Sequence, residues 1–409
     1  MIISAPRLWS TLMDLAELGK FCEGGVNRQA LSEEEIQAWR QIITWAEEAG
    51  LEVSTDPMGN LFIALPGVQR GLPPLLIGSH TDSQPTGGRF DGALGVLAGL
   101  EVLRTMVDDN IRPERDIIVV SWMNEEGSRF APGMSGSEAF AGVRAPDDVL
   151  ACRDRSGTGT LGDALVYFLS HFQNLPRRPL GFSPFAYLEL HIEQGPELER
   201  CGIDIGVVTG IQGKKTFRVV IEGEAGHAGT VPMGSRRDSV HAFADLAAEL
   251  FRTMKSIDDS VRFTIGQVTV TPDAPSVIPS GVQFSIDLRH PDSEILDHCG
   301  RETERIVADQ RGPCRFVLTP LVDAAPNRFS EELQNRIMDA ARRCGFSSMP
   351  VLSTAGHDAR NIVKLCPGAM IFVPSRHGVS HAPEEWTSAE QVAAGAEVLA
   401  MVAREIAEA

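Results

Sequence analysis

The fold class is indicated most strongly by 75-LLIGSHTDSQPTGGRFDGALGVLAGLEVLRTMVDDNIRPERDIIVVSW-122. This segment contains a short apolar run at 75–78, a helical stretch from Asp91 to about Asp109, and a second apolar run at 116–122. Strands of continuous apolar residues are typical of sheets buried on both faces, and strand–helix–strand order is typical of α/β proteins. We therefore predict an α/β domain with helices on both faces of its sheet.

The middle of the chain has a different pattern. Strand and helix periodicities follow the order β-α-β-β-α-β, which is that of a ferredoxin-like α+β module, in the segments 215–222, 238–254, 261–270, 282–289, 293–309 and 315–319. Between 330 and 407 the chain returns to helix, strand and helix. We therefore expect a larger domain formed by 1–208 and 323–409, with a smaller domain inserted at 209–322.

Length, charge and cysteine usage exclude several classes of protein. A chain of 409 residues exceeds one typical core, which favours two domains. The net charge of −18 argues against nucleic acid and anionic membranes as partners. No apolar run is long enough to span a membrane, and residues 1–20 resemble an amphipathic helix rather than a signal peptide, so we expect a cytoplasmic protein. None of the seven cysteines forms a CxxC pair, which argues against a thiolate zinc site.

Histidine and carboxylate side chains lie at strand ends or in loops of the predicted larger domain, where ligands of open α/β sheets bind. Five segments carry them: GSHTDS with His80 and Asp82, RFDGALG with Asp91, NEEG with Glu125 and Glu126, LELHIEQG with His191, and GVSHAPEE with His381. Each has a simpler explanation when taken alone. Asp91 suits a helix N-cap, the adjacent glutamates suit a solvated turn, and His381 suits a solvated loop.

Taken together, these residues favour a centre for two divalent ions. One ion would bind His80, Asp91 and His191, and the other would bind Asp91, Glu126 and His381, with Asp91 shared between them. In the alternating strand 188–193, the polar side chains fall on the face opposite the leucines, so that His191 need not be a core residue. Nitrogen and oxygen ligands suit zinc, manganese, cobalt or nickel alike.

Two carboxylates have expected roles beside the ions. Glu125 adjoins the ligand Glu126 without being a ligand, which suits a general base that takes a proton from water. Asp82 is expected to accept the second ring N–H of His80 and so to fix the tautomer that binds metal.

The motifs resemble those of the dinuclear-metal amidohydrolases related to aminoacylase and carboxypeptidase. The closer resemblance is to the branch of N-carbamoyl-L-amino acid hydrolase, β-ureidopropionase and allantoate amidohydrolase. The matching segments follow the family order over essentially the whole chain: GSHTDS, GRFDGALGVL, NEEGSRFAPGMSGS, YLELHIEQGPELE, GEAGHAGTVPMGSRRD, DLRH, AGHDA and GVSHAPEE. The resemblance implies the same five ligands, the base Glu125, and a catalytic domain with an inserted lid that also forms a homodimer.

The resemblance further implies a set of substrate contacts: Gln194, His227, Ser276, Arg289, Gly356 and His357. His227 would also be catalytic, since it would stabilise the developing oxyanion, and it and Arg289 can serve the partner's site in such dimers. Arg289 lies on the polar face of its strand, where it could grip a substrate carboxylate or merely pair with Asp287. The chain departs from the usual family residues at Ser276, Thr354 and Ala382, which leaves the exact substrate open.

The resemblance implies hydrolysis of a C–N bond in a small carboxylate substrate. An N-carbamoyl amino acid or a related ureido acid, such as β-ureidopropionate or allantoate, is the preferred substrate. The enzymatic alternative is an N-acyl-amino-acid deacylase or dipeptidase that uses the same two ions. A non-catalytic binding protein of the same fold is a further alternative, against which the presence of Glu125 argues.

Overall fold

A computed structural model describes residues 2–408 of the chain. The chain divides into two compact units, of which the larger ends at Gly210 and resumes at Arg328, and the smaller is Ile211–Asn327. The smaller unit ends beyond residue 322, the limit expected from the sequence. The reason is that the strand expected at 315–319 continues as Arg315–Ala324.

Within residues 2–408 the two units together contain twelve α-helices. Helices α1 to α12 are Ala5–Ala16, Glu33–Glu48, Ala93–Asp108, Ser135–Phe140, Pro146–Leu150, Leu161–Ser170, Glu197–Cys201, Ser239–Ile257, Ser293–Ala308, Glu331–Cys344, Ala359–Ile362 and Ala389–Ala407. Two short 3-10 turns are Met233–Ser235 and Arg376–Gly378. Between residues 2 and 408, no helix combines the length and the apolar character that a membrane span requires.

The strands follow the same order. Strands β1 to β17 are Lys20–Cys22, Gly25–Val26, Glu52–Thr55, Leu61–Leu65, Leu75–His80, Ile117–Trp122, Ala186–Ile192, Ile205–Ile211, Gly213–Glu222, Gly226–His227, Arg262–Thr271, Val277–Ile278, Gly281–His290, Arg315–Ala324, Asn327–Arg328, Ser348–Ser353 and Gly368–Val373.

The main sheet explains where the polar residues meet. Within residues 2–408 it has nine strands, in the order β15-β8-β17-β7-β5-β6-β4-β3, with β16 beside β8. The central strands β17, β7, β5 and β6 are parallel, and every residue in them is buried. The predicted mixed α/β architecture is confirmed. Because these strands are parallel, their carboxyl ends lie at one edge of the sheet.

The smaller unit has the β-α-β-β-α-β order that the sequence predicts. Its antiparallel sheet has the order β11-β13-β9-β14, and helices α8 and α9 connect its strands. Alternate residues of β9 and β13, such as Val219 and Ile286, form a core with Leu250 of α8 and Ile306 of α9. This pattern is that of a half-buried sheet with one face against helices.

Candidate metal centre and active site

Three of the expected residues are positioned by the central parallel strands. His80 is the last residue of β5, Glu125 follows β6, and His191 lies near the end of β7. All seven residues of β7 are buried between β5 and β17, and the expected alternation is present: Leu188, Leu190 and Ile192 lie in the apolar core, whereas Glu189 and His191 lie together beside His357. The polar residue Glu189 in this strand accepts hydrogen bonds from Ser79 Oγ at 2.8 Å and Tyr187 Oη at 2.9 Å.

Asp91 lies between two groups of side chains. Its Oδ1 atom is 3.2 Å from Nε2 of His191 and 3.6 Å from Nε2 of His80. Its Oδ2 atom is 3.1 Å from Nε2 of His381, which is itself 3.6 Å from Oε2 of Glu126. In each group, one potential ligand atom per residue lies within 4.8 Å of the others. The structure thus brings together the two sets of residues that the sequence analysis combined.

The tautomers of two buried histidines suit a cation. Nδ1 of His80 lies 2.9 Å from the carbonyl oxygen of Asp82, and Nδ1 of His191 lies 2.8 Å from that of Ile192. A carbonyl oxygen only accepts, so in the neutral ring each Nδ1 carries the hydrogen and each Nε2 presents a lone pair, which in His191 also faces the backbone N–H of Gly92 at 3.2 Å. These lone pairs face the Asp91 carboxylate, which is also an acceptor. A divalent cation would satisfy both, so these residues fit a metal ion with nitrogen and oxygen ligands.

Asp82 contacts both His80 and the turn that follows β6. Its backbone carbonyl, rather than its carboxylate, is the near partner of His80, and the carboxylate Oδ1 lies 3.5 Å from the ring nitrogen. The two carboxylate oxygens instead accept hydrogen bonds from the backbone N–H groups of Glu125 and Glu126, each at 3.2 Å. Asp82 therefore holds the turn that carries the expected base and the adjacent ligand.

Asp91 does not cap helix α3, which was the simpler explanation of this residue from the sequence. The N-cap residue is Gly92, and no side chain caps this helix end. Gly92 has φ 63°, and a Cβ atom there would lie 2.4 Å from ring atoms of His80. Only glycine fits this close approach, which leaves Asp91 free to face the histidines.

Burial and neighbouring charges shift the proton affinities of the cluster. Burial raises the pKa of Glu125 well above its ordinary value and raises the pKa of Glu126 to about 7. Because both side chains are buried, the alternative of a solvated turn for these two glutamates is wrong. Burial acts to lower the pKa of His80, but Glu125 and other carboxylates outweigh it and hold the pKa well above normal. The hydrogen bond to Asp91 raises the pKa of His381 to about 9. The cluster therefore attracts positive charge.

Left-handed backbone recurs at three non-glycine residues around the cluster. Asn124, Gln194 and His381 have φ of 54°, 57° and 57°. Such residues cost roughly 1–3 kcal/mol each and are concentrated at functional sites. The Nε2 atom of Gln194 donates to Oδ2 of Asp91 at 2.8 Å and to Ser380 Oγ at 3.1 Å. The expected substrate contact Gln194 thus touches the shared carboxylate itself.

Two further expected substrate residues lie beside the buried histidines. The ring of His357 is 4.6 Å from that of His191, and its Nε2 atom is 2.9 Å from Ser353 Oγ. Burial, with His191 nearby, holds the pKa of His357 well below its ordinary value, so its ring is neutral. Gly356 precedes it, and a Cβ atom there would lie 2.5 Å from the terminal methyl of Met134.

The remaining expected residues belong to the smaller unit. The exposed His227 is in β10, which pairs with β12, and the backbone N–H of Ala228 donates to the carbonyl of Ser276 at 3.1 Å. Nε of Arg289 donates to Oδ1 of Asp287 at 2.8 Å. This is the ion pair that the sequence allowed as an alternative to binding of a substrate carboxylate. The roles of these three residues toward a substrate stay predictions.

Three buried carboxylates at the site were not predicted. They are Glu189 in β7, Asp358 directly after His357, and Glu385 in the loop after His381. The Oδ1 atom of Asp358 accepts from Ser137 Oγ, while its Oδ2 atom has no hydrogen-bond partner among residues 2–408. The only sequence signal for Glu385 is its place in the segment HAPEE.

Comparisons with known proteins agree with the motifs. A model described as peptidase family M20/M25/M40 matches residues 76–405. The chain is 38% identical to N-carbamoyl-L-amino-acid amidohydrolase from Rhizobium meliloti, over 99% of this chain and 97% of that protein. It is 37% identical to allantoate amidohydrolase from Bacillus subtilis (strain 168), over 94% and 93%.

A solved structure gives the same result. The amidase of the hydantoinase/carbamoylase family from Burkholderia multivorans matches with a TM-score of 0.89 at 38% identity, over 100% of this chain and 99% of that one. The resemblance expected from the motifs is confirmed. The chain belongs to peptidase family M20/M25/M40.

Proposed function

We propose that the protein hydrolyses the ureido C–N bond of an N-carbamoyl amino acid or of a related ureido acid, such as β-ureidopropionate or allantoate. An N-carbamoyl amino acid plus water would give the free amino acid, carbon dioxide and ammonia. The observation that carries the reaction class is Asp91, with one oxygen in each of two candidate metal groups, beside the buried Glu125. The names of the relatives support the substrate class.

Two divalent ions, zinc, manganese, cobalt or nickel, are the proposed cofactors. His80, Asp91 and His191 would hold one, and Asp91, Glu126 and His381 would hold the other. When bound, such ions polarise a carbonyl group and lower the pKa of water. The carbonyl partners of His80 and His191 keep the Nε2 lone pairs in place for this purpose.

Glu125 is the proposed general base. Its Oε2 atom lies 3.6 Å from Nε2 of His80, and its backbone is held by Asp82. Burial raises the pKa of its carboxyl group, which makes the carboxylate a better acceptor for a proton from water. The resulting acid can then deliver that proton to the leaving nitrogen.

The proposed substrate contacts are distributed along the whole chain. In the larger unit these are Gln194, Gly356 and His357, of which His357 is a neutral ring. From the smaller unit, His227 would donate to the developing oxyanion, Ser276 would line the pocket, and Arg289 would bind the carboxylate. Arg289 would have to share its guanidinium between Asp287 and the substrate.

A substrate panel tests this proposal against a deacylase or dipeptidase. Metal-loaded protein would be assayed with N-carbamoyl-L-amino acids, β-ureidopropionate, allantoate, N-acetyl amino acids and dipeptides, each with manganese, cobalt, nickel and zinc. We expect the ureido acids to have the highest kcat/KM. Higher values for acetyl amino acids or dipeptides would contradict the proposal. Glu125→Gln serves as the control, because activity from a contaminant would be the same in that preparation as in the wild type.

The proposal includes a homodimer and a cytoplasmic location. A homodimer formed through the smaller unit can be tested by sedimentation analysis of the purified chain. The cytoplasmic location can be tested by fractionation of cells that express it.

A further inference from the structure

Glu385 joins the loop that carries Asp91 to the loop that carries His381. Its side chain is buried, with a relative exposure of 1%. Its Oε1 atom accepts hydrogen bonds from the backbone N–H groups of Phe90 at 2.9 Å and Asp91 at 3.1 Å. Its Oε2 atom accepts from Ser380 Oγ at 2.8 Å. Three donors therefore converge on this carboxylate, and it acts as an acceptor toward all of them.

The surrounding chain is built closely around Glu385. A Cβ atom at Gly88 would lie 2.2 Å from its Oε1 atom, so the backbone before Asp91 passes directly over the carboxylate. The same two loops meet a second time where Thr86 Oγ1 donates to the carbonyl of His381 at 3.2 Å. Glu385 is thus the buried member of a fixed connection between two expected ligands of one ion.

The hydroxyl of Ser380 has two acceptors within reach. Its Oγ atom is 2.8 Å from Oε2 of Glu385 and 3.2 Å from Oδ2 of Asp91, while Nε2 of Gln194 lies 3.1 Å from it as a donor. A serine hydroxyl has a single hydrogen, so it can donate to only one of the two carboxylates. The shorter distance assigns that hydrogen to Glu385. Oδ2 of Asp91 then receives no hydrogen bond from Ser380; one of its two lone pairs accepts from Nε2 of Gln194 at 2.8 Å, and the other remains.

We propose that Glu385 is a positioning residue for the second ion. It draws the Ser380 hydrogen away from Asp91 and so leaves Oδ2 of Asp91 available to the cation that Glu126 and His381 would share. This inference rests on the metal centre of the proposed function, and it adds a residue that the ligand set does not contain.

A glutamine at this position would reverse the direction of the hydrogen bond with Ser380. The side chain of Glu385→Gln has the same size, and its carbonyl oxygen can still accept from the N–H groups of Phe90 and Asp91. Its amide N–H would donate to Ser380 Oγ, because an amide nitrogen is only a donor. The Ser380 hydrogen would then turn to Oδ2 of Asp91 and compete with the cation there.

Metal binding, rather than activity, measures this effect. Demetallated wild-type protein, Glu385→Gln, Ser380→Ala and the double variant would be titrated with manganese or zinc, and bound metal would be counted by mass spectrometry. We expect Glu385→Gln to lower the affinity for one of the two ions about 10- to 100-fold, as is typical when a partner of a metal ligand is changed. The affinity for the other ion should stay unchanged. The double variant should recover most of the loss, because it lacks the competing hydroxyl.

Matched variants separate this role from a structural one. Glu384→Gln changes the exposed neighbouring glutamate in the same way and should bind both ions as the wild type does. Unchanged binding in Glu385→Gln, or a double variant no better than Glu385→Gln, would overturn the inference. If Glu385→Gln does not fold, Ser380→Ala and the double variant are compared. If the double variant folds, the proposal requires it to bind the ions nearly as well as Ser380→Ala; if it does not fold either, the proposal requires Ser380→Ala alone to bind both ions as the wild type does, and weaker binding refutes it.

The wild-type titration separates a failure of the proposed function from a failure of the role of Glu385. A wild-type chain that binds no divalent ion removes the metal centre, and the proposed function fails together with the inference. A wild-type chain that binds two ions, with a Glu385→Gln variant that binds both equally well, overturns the inference alone.

Discussion

Nε2 of His381 lies 3.1 Å from Oδ2 of Asp91, although the two residues come from loops far apart in the chain. The other oxygen of Asp91 lies 3.2 Å from Nε2 of His191. Asp91 therefore belongs to both groups proposed for the two ions, whereas His80 and His381 each belong to one; His191 also lies in a third group, with Glu189 and His357. This asymmetry makes the effects of single substitutions on metal content distinguishable.

Chelation should abolish activity. Nε2 of His80 and of His191 faces the Asp91 carboxylate, where a cation would bind. The proposed reaction requires that cation, because it polarises the carbonyl group of the substrate. Hydrolysis of the best ureido acid would be measured before and after exhaustive dialysis against a chelator, and again after addition of manganese, cobalt, nickel or zinc. Full activity in demetallated protein would contradict the prediction.

Single ligand substitutions should remove different numbers of ions. His80→Ala and His381→Ala should each lose one ion of the pair, because they belong to different groups, whereas Asp91→Ala should lose both. Metal per chain would be measured by mass spectrometry after gel filtration. His241→Ala changes an exposed histidine of helix α8 and is the control. Loss of both ions in His381→Ala would show that the two groups do not bind independently.

Asp82→Asn should weaken metal binding and catalysis together. An asparagine keeps one acceptor but presents an N–H₂ group to one of the backbone N–H groups of Glu125 and Glu126. The turn that carries the base and a ligand would then shift. We expect metal affinity to fall about 10- to 100-fold, measured by titration of demetallated protein. If Asp82 acted instead through His80 alone, Glu126 would keep its geometry and only the other ion would be weakened.

Glu125→Gln should lose catalysis and keep the metal. The variant keeps the size of the side chain but cannot take a proton from water, and general-base catalysis is typically worth about 10²- to 10⁴-fold. We therefore expect kcat to fall by at least that factor while metal content stays at the wild-type level. Glu126→Gln is the comparison, since it should lose an ion. Near-normal kcat in Glu125→Gln would place the base elsewhere.

Arg289→Ala should raise KM strongly for substrates with a carboxylate. Removal of one partner of a close charge pair typically costs several kcal/mol when the other stays buried. Amides or esters of the same substrates should bind poorly to the wild type and lose less in the variant. Arg289→Lys should recover only part of the loss, because lysine lacks the planar two-point contact. Equal loss on charged and neutral substrates would make Arg289 a structural residue.

Two controls define where Arg289 acts. Asp287→Asn removes its ion-pair partner and should leave the preference for carboxylates intact. Mixed dimers of Arg289→Ala and Glu125→Gln chains should regain some activity if Arg289 serves the partner's site. No recovery in verified mixed dimers would place Arg289 in the site of its own chain or outside any site.

The sequence by itself determined the order of the elements and the chemical type of the site. The short apolar runs at 75–78 and 117–122 indicated buried strands, and the polar residues His80 and Glu125 follow them closely in the sequence. The alternation of β13 likewise separated its buried residues from Arg289. These features follow from local periodicity, which depends on the side chains of one segment alone.

Only the tertiary structure decided which partner each polar group has. The carboxylate of Asp82 accepts from the backbone of Glu125 while its carbonyl is the near partner of the His80 ring, and Glu385 accepts from the backbone of Asp91. Neither partnership leaves a trace in local sequence, because the residues are brought together by parallel strands and by loops that pack across the sheet edge. The left-handed backbone of His381 is equally hidden, since a non-glycine residue adopts it only when the surrounding structure compensates for its unfavourable conformation.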